Sequence, residues 1–173
     1  TLQKDLPELC KQVQKIGKYL SIDTNGSNPD VIKQISSQIN RVAMDLKSSF
    51  NLEKFEKITA TKVNLDKISD TIKFLNTQRD IEFEIRTTYV EKLLDASDID
   101  EIINYLRSID FNGNFVLQQY QFREGVGEKF REIFSKPEHE VLYNLLKQYK
   151  GLEFPFKIFL RDEIVGYCSI DDV

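Results

Sequence analysis

Apolar residues recur along the 173-residue chain with two periods, and the switches between them mark alternating helices and strands. Leu6, Leu9, Val13 and Ile16 return at helical spacing and stop at Gly17, which predicts a first helix closed by a turn. Residues 19–22 are expected as a short strand. Asp-Thr-Asn-Gly-Ser-Asn over 23–28 is turn chemistry that delivers Pro29 to the first turn of a second helix, running to about Ile39. A second strand is expected over 41–46 and a short loop helix over 52–58. A longer helix starting at Asn64 or Asp66 carries Leu65, Ile68, Ile72 and Leu75 on one face. The run 81–88 alternates apolar and polar residues, as a strand with one wet face does. Ser97 is expected to cap a helix bearing Ile99, Ile102, Ile103 and Leu106, with Asp98, Asp100 and Glu101 near its positive end. Residues 115–119 make a fourth strand, 120–136 an irregular stretch, and Pro137 opens a last helix with Val141, Leu142, Leu145 and Leu146 inward. Beyond Gly151, two apolar runs around Arg161-Asp162-Glu163 predict a terminal strand or hairpin within 151–173.

Strands alternating with helices imply right-handed crossovers and a parallel sheet, hence the α/β class. Four such units and a tail fall short of the roughly eight strands that close a barrel. The expected architecture is therefore an incomplete, partial TIM-like barrel. It is an open arc of about four parallel strands with outer helices, forming one domain over 1–173. An unpaired strand edge is a template for another chain, so self-association through that edge is expected.

Composition narrows the picture without naming a chemistry. With 40% hydrophobic and 30% charged residues the chain is a globular domain, and a net charge of -4 with interspersed signs excludes the basic stripe of a nucleic-acid binder. No apolar run approaches the roughly 20 residues that span a bilayer, and residues 1–5 lack signal-peptide anatomy. A cytoplasmic location is expected, with no nucleic-acid or membrane partner. Cys10 and Cys168 stand far apart, so one chain can build neither a disulfide framework nor a zinc or iron–sulfur site from them. Both are expected as buried small apolar residues. His139, the sole histidine, lies between Glu138 and Glu140 and reads as an ordinary surface residue. There is no Ser-His-Asp set and no Walker-type loop, so no catalytic residue is assigned.

In α/β folds ligands sit at the carboxyl ends of the strands. Those ends present Asp23, Thr24 and Asn25, then Asp45 and Lys47, then Arg86 and Thr88, then Gln119 and Tyr120. Converging carboxylates, cations, hydroxyls and amides suit a zwitterionic or polyhydroxylated ligand. Taken singly, Asp-Thr-Asn-Gly also reads as an Asx-type turn, and Asp45 with Lys47 as a solvated pair.

Four runs at those ends carry a resemblance: Leu-Ser-Ile-Asp-Thr-Asn-Gly over 20–26, Val-Ala-Met-Asp-Leu-Lys over 42–47, Ile-Arg-Thr-Thr over 85–88 and Val-Leu-Gln-Gln-Tyr over 116–120. In this order they resemble the radical S-adenosylmethionine activases, near pyruvate formate-lyase activating enzyme and the activating protein of anaerobic ribonucleoside-triphosphate reductase. The resemblance implies S-adenosylmethionine and a [4Fe–4S] cluster as cofactors of the intact enzyme, and a 5′-deoxyadenosyl radical that takes hydrogen from a glycine of a partner glycyl-radical enzyme. It also implies that Asp23, Thr24, Asn25, Lys47, Arg86, Thr88, Gln119 and Tyr120 line the cofactor site. Asp23, Thr24 and Asp45 match a monovalent cation site of some members. Some relatives carry histidine where Tyr120 falls. The family's CxxxCxxC loop and Gly-Gly-Glu-Pro strand end are not among these residues, and Thr1-Leu2-Gln3 resembles the continuation of the latter. The chain is thus expected to be a C-terminal piece, inactive by itself and binding neither cofactor. The alternative expectation is a non-catalytic binding or assembly module that uses the polar mouth or the exposed sheet edge.

Overall fold

The computed structural model describes residues 3–122 and 127–173. Thr1 and Leu2, and residues 123–126 of the expected irregular stretch, lie outside them. Helix α1 (Leu6–Lys15) precedes β1 (Ser21–Thr24), α2 (Pro29–Ile35) and β2 (Arg41–Asp45). Then come α3 (Leu52–Thr59), α4 (Leu65–Asn76), β3 (Glu82–Tyr89), α5 (Ala96–Ser108) and β4 (Asn114–Gln119). The chain continues through α6 (Glu128–Ile133), α7 (His139–Leu146), β5 (Lys157–Asp162) and β6 (Gly166–Ser169).

Local chemistry explains most of these boundaries and moves several from their expected places. The Asn64 side chain accepts the N–H of Lys67 at 3.1 Å, which fixes the start of α4. The cap of α5 is Asp95, not Ser97: its carboxylate accepts the N–H groups of Ser97 and Asp98, while Asp98 reaches back to the N–H of Asp95 at 2.8 Å. A carboxylate on both sides of the exchange makes a capping box, which a serine two residues later cannot. Helix α2 gives way at Ser36–Gln38 to a 3-10 turn instead of running to Ile39. Part of the stretch expected to be irregular forms α6, and the helix expected to open at Pro137 begins at His139. Strand β1 lies two residues later than expected, because Asp23 and Thr24 pair with Ala43 and Met44 before the turn takes over.

The six strands form one sheet in the order β1-β2-β3-β4-β5-β6, with β1 to β5 parallel and β6 antiparallel to β5. The expected arc of about four parallel strands is thus five, plus the return arm of a hairpin. The difference lies in the tail: the crossover through α6 and α7 brings Lys157 beside Asn114, so β5 joins the sheet in parallel register. Strictly sequential order with right-handed crossovers puts α2, α4, α5 and α7 on one face. That face buries Ile22, Val42, Met44, Phe83, Ile85, Phe115, Leu117, Ile158 and Leu160. At roughly 25 cal/mol per Å² of apolar surface removed from water, this layer is the main favourable contribution to folding.

The opposite face is wet. Glu82, Glu84, Arg86 and Thr88 alternate along β3 with the residues that face the helices, as the period of two requires, and Glu84 is itself buried among its partners. Arg41 on β2 bonds Glu84 at 2.9 Å, and the Tyr167 hydroxyl on β6 donates to the same carboxylate at 3.0 Å. In a flat sheet three strand spacings would hold β3 and β6 roughly 14 Å apart. Side chains meeting across that interval require the wet face to curl inward, which is the curvature of a partial barrel. Burial and the Glu84 carboxylate push the Tyr167 hydroxyl well above its ordinary pKa, so it stays a donor. Among the described residues, no helix is long and apolar enough to cross a membrane.

Candidate functional site

The curled face encloses an open concavity of about 1090 Å³ that runs from Arg41, Glu82 and Asn114 at the strand starts to the carboxyl ends of the strands. Asp23, Asp45, Arg86, Thr88, Gln119 and Tyr120 all line it. Pairing register puts Asp45 directly beside Arg86 and Asp23 beside Ala43, so the three charged residues share one face. Arg86 is the hub. Its Nη2 lies 2.9 Å from Asp45 Oδ1 and 3.3 Å from Asp23 Oδ2, and its Nε donates to Asp45 at 3.0 Å. Burial alone would ease the proton off Arg86, but Asp45 and Asp23 outweigh it and raise its pKa. Asp23 is 69% exposed in its side chain and Arg86 only 15%, so the guanidinium is seated while one of its partners remains open to solvent and ligand.

Three other expected site residues, Thr24, Asn25 and Lys47, separate from this group. Thr24 points to the helix side, where it is buried and its hydroxyl accepts the N–H of Gly26 at 3.1 Å. Asn25 and Lys47 line a second cavity, to which Asp45 also contributes. Lys47 bonds Asp45 Oδ2 at 2.8 Å, so the two cations divide that carboxylate between its oxygens. Gly26 holds this turn in place: its φ is +75°, and a Cβ there would come within 2.2 Å of Met44 Cε. Gln119 is buried, donating to Pro137 O at 2.9 Å and accepting from Gln121 and from the N–H of Glu163. It ties loops together beneath the concavity. Tyr120 stands at the rim in edge contact with Phe122 and Phe134. Among the described residues no group of three or more His, Cys, Asp or Glu side chains is placed to hold a metal ion.

The charged interior is larger than the strand ends implied. Arg41, Glu84, Gln118, Arg161 and Tyr167 line it as well. The alternation along 81–88 carries this information for Glu84, whereas Tyr167 required knowing that the tail closes the sheet. His139 is not a free surface residue: its Nδ1 lies 2.6 Å from Asp162, whose side chain is fully buried. Burial would raise the Asp162 carboxyl, but the N–H groups of Val165 and Ile164 and the His139 ring hold it below its ordinary value of 3.8. A carboxylate lowered in the folded state contributes stability that is complete above its unfolded pKa and is lost as pH falls through the folded one. Urea midpoints measured from about pH 6 down to 2 are expected to drop more steeply below 3.8 in the parent protein than in Asp162→Asn. Parallel curves would remove Asp162 from the acid response.

Comparison with known proteins adds a lineage to this geometry. A Methanocaldococcus jannaschii protein named as a glycyl-radical enzyme activating enzyme is 29% identical over 157 residues, covering 86% of this chain and 63% of its own length. A second of the same name and organism is 29% identical over 114 residues, covering 64% of this chain and 43% of its own. In sequence the chain is similar to proteins named as glycyl-radical enzyme activating enzymes. It spans less than two thirds of the length of either relative. The crystal structure of a domain of pyruvate-formate lyase-activating enzyme from Bacteroides vulgatus superposes with a TM-score of 0.67 at 18% identity, over 91% of this chain and 89% of that domain. At that identity the likeness speaks for the fold. No protein-family model matches the chain.

The resemblance of the four strand-end runs implies S-adenosylmethionine and a [4Fe–4S] cluster as cofactors of an intact enzyme. The concavity would suit the first: half-buried Arg86 beside exposed Asp23, with Thr88 and an aromatic rim, is a donor set for a zwitterion carrying a sugar and a base. The residues present do not fit the cluster. Cys10 is fully buried on α1, where desolvation pushes its thiol up, and Cys168 is half-buried on β6.

Proposed function

We propose that the chain is the cofactor-side portion of a cytoplasmic radical S-adenosylmethionine activase that installs a glycyl radical on a partner enzyme. The observation that carries this reading is the single concavity in which Asp23, Asp45, Arg86, Thr88 and Tyr120 stand together over the strand ends. Arg86 and Thr88 hold the methionine and ribose portions, Asp23 and Asp45 keep Arg86 charged and aimed, and Tyr120 borders the base. S-adenosylmethionine supplies the 5′-deoxyadenosyl radical once an electron reaches its sulfonium. Neither cysteine of this chain provides that donor, so the 173 residues alone do not cleave the cofactor. The partner class is a glycyl-radical protein such as anaerobic ribonucleotide reductase or pyruvate formate-lyase.

The test has two arms. S-adenosylhomocysteine added to the 15N-labelled chain is expected to move the backbone signals of Arg86, Thr88 and Tyr120 and leave those of α7 in place. Joined to a segment bearing CxxxCxxC and Gly-Gly-Glu-Pro and reconstituted anaerobically with iron and sulfide, the protein is expected to cleave S-adenosylmethionine reductively. A full cluster with no cleavage refutes the activase reading, and no shift with the homocysteine analogue refutes the assignment of the concavity.

A further inference from the structure

A second cavity, of about 520 Å³, opens between the turn after β1, the end of β2 and helices α3 and α4. Asp45 lines both cavities, but Arg86 and Thr88 line only the first. The inner wall is apolar, made by Phe55 and Ile58 of α3, Val63 and Ile68. Phe55 and Ile68 are among the buried core residues, so the space they face is continuous with the core rather than with the charged sheet face. The polar groups stand at the rim, and three have donors to spare. Asn25 uses its amide oxygen on the N–H and hydroxyl of Ser27, which leaves its NH₂ free to donate. Lys47 gives one of its three N–H donors to Asp45. Lys62 makes no ion pair among the described residues.

Charge then selects the ligand. Asp23 and Asp45 are matched by Arg86 and Lys47, and no carboxylate other than Asp45 lines this cavity, so Lys62 is left over. An apolar pocket with one surplus cation and convergent donors accepts a single negative charge on a hydrocarbon body. We propose that this cavity binds a small amphipathic monocarboxylate, its carboxylate held by Lys47, Lys62 and Asn25 and its chain lying against Phe55, Ile58 and Ile68.

Hexanoate, hexan-1-ol and hexylammonium, titrated separately into the 15N-labelled 173-residue chain, test it. Hexanoate is expected to bind tightest and to shift the signals of Asn25, Ser27 and Ile58. Replacing Lys47 and Lys62 together by methionine is expected to weaken hexanoate by about a hundredfold, the loss of two charge-assisted contacts, while leaving hexan-1-ol unchanged. Lys62→Met alone, at an exposed position that does not threaten folding, is expected to give a smaller change of the same sign. Equal affinity for hexanoate and hexan-1-ol, tighter binding of hexylammonium, or shifts centred on Arg86 and Thr88 each overturn the proposal. So does the absence of saturable binding. Because S-adenosylhomocysteine is assigned to the other cavity, hexanoate is expected to bind equally well in its presence, so this result stands or falls apart from the activase reading.

Discussion

Arg86→Leu is expected to lower the affinity for S-adenosylhomocysteine by about a hundredfold while the chain stays folded, because two charge-assisted hydrogen bonds at roughly 1.5–3 kcal/mol each no longer organise the site. Three contacts converge on this guanidinium, two from Asp45 and one from Asp23. Without it the two carboxylates face each other across the mouth with only Lys47 to compensate, so the ligand's own carboxylate meets repulsion where it met a cation. The stability cost is smaller, about 1–2 kcal/mol, since Asp45 is one-third exposed and water replaces part of the lost pairing. Arg86→Lys separates charge from shape: one ammonium cannot span Asp23 and Asp45 together, so an intermediate affinity is expected. Calorimetric titration with the analogue, alongside urea unfolding of each variant, reads both effects. An Arg86→Leu protein that binds like the parent removes the ligand from this cavity.

The fold was legible where hydrophobic period and local chemistry agreed. Leu65, Ile68, Ile72 and Leu75 announce α4, and the alternation over 81–88 announces β3 with its wet face. Boundaries failed where tertiary pairing overrode turn propensity. Asp23 and Thr24 belong by local preference to a turn, but the neighbouring strand β2 offers them partners and they extend β1 instead. The tail was ambiguous for the same reason, since nothing in 157–162 says that a distant strand waits beside it.

The site was legible by strand parity more than by proximity to a strand end. Arg86 and Thr88 share a face, and Asp45 lies beside Arg86 in register, so these three had to meet. The same parity sets Thr24 on the helix side, level with buried Met44, whereas Gln119, level with buried Tyr89 at the end of β4, still lines the concavity. Counting by twos along β1 from Asp23 sets Thr24 apart from the charged face. Asn25 and Lys47 lie beyond the last paired residues, where alternation no longer governs, and the turn that carries Asn25 is tied to α4, where Thr71 donates to the Gly26 carbonyl at 2.8 Å, with both residues lining the second cavity. Tyr167 had no local signal at all, because its contact with Glu84 depends on the curl of the whole sheet.

That curl depends on how closely β3 and β4 approach at their start, and Gly113→Ala tests it. A Cβ at Gly113 would lie 2.1 Å from the carbonyl oxygen of Phe83 and 2.6 Å from the tip of the Phe111 ring. The first is backbone at the entry to β3 and cannot rotate away. The second belongs to a fully buried ring that meets Phe83 edge-on at 5.3 Å and Phe156 at 5.7 Å. Overpacking a tight core costs about 1–3 kcal/mol when side chains can yield, and more when backbone must, so about 3 kcal/mol or more is expected here. At about 2–4 °C per kcal/mol for a domain of this size, the melting temperature should fall by roughly 6–12 °C. Adding Phe111→Leu relieves the ring contact but leaves the carbonyl contact, so the pair of replacements should recover only part of the loss. Unfolding free energies for the two single variants and the double one decide it: full recovery would put the whole cost on the ring, and a Gly113→Ala protein within about 0.5 kcal/mol of the parent would mean that the strands have room to part.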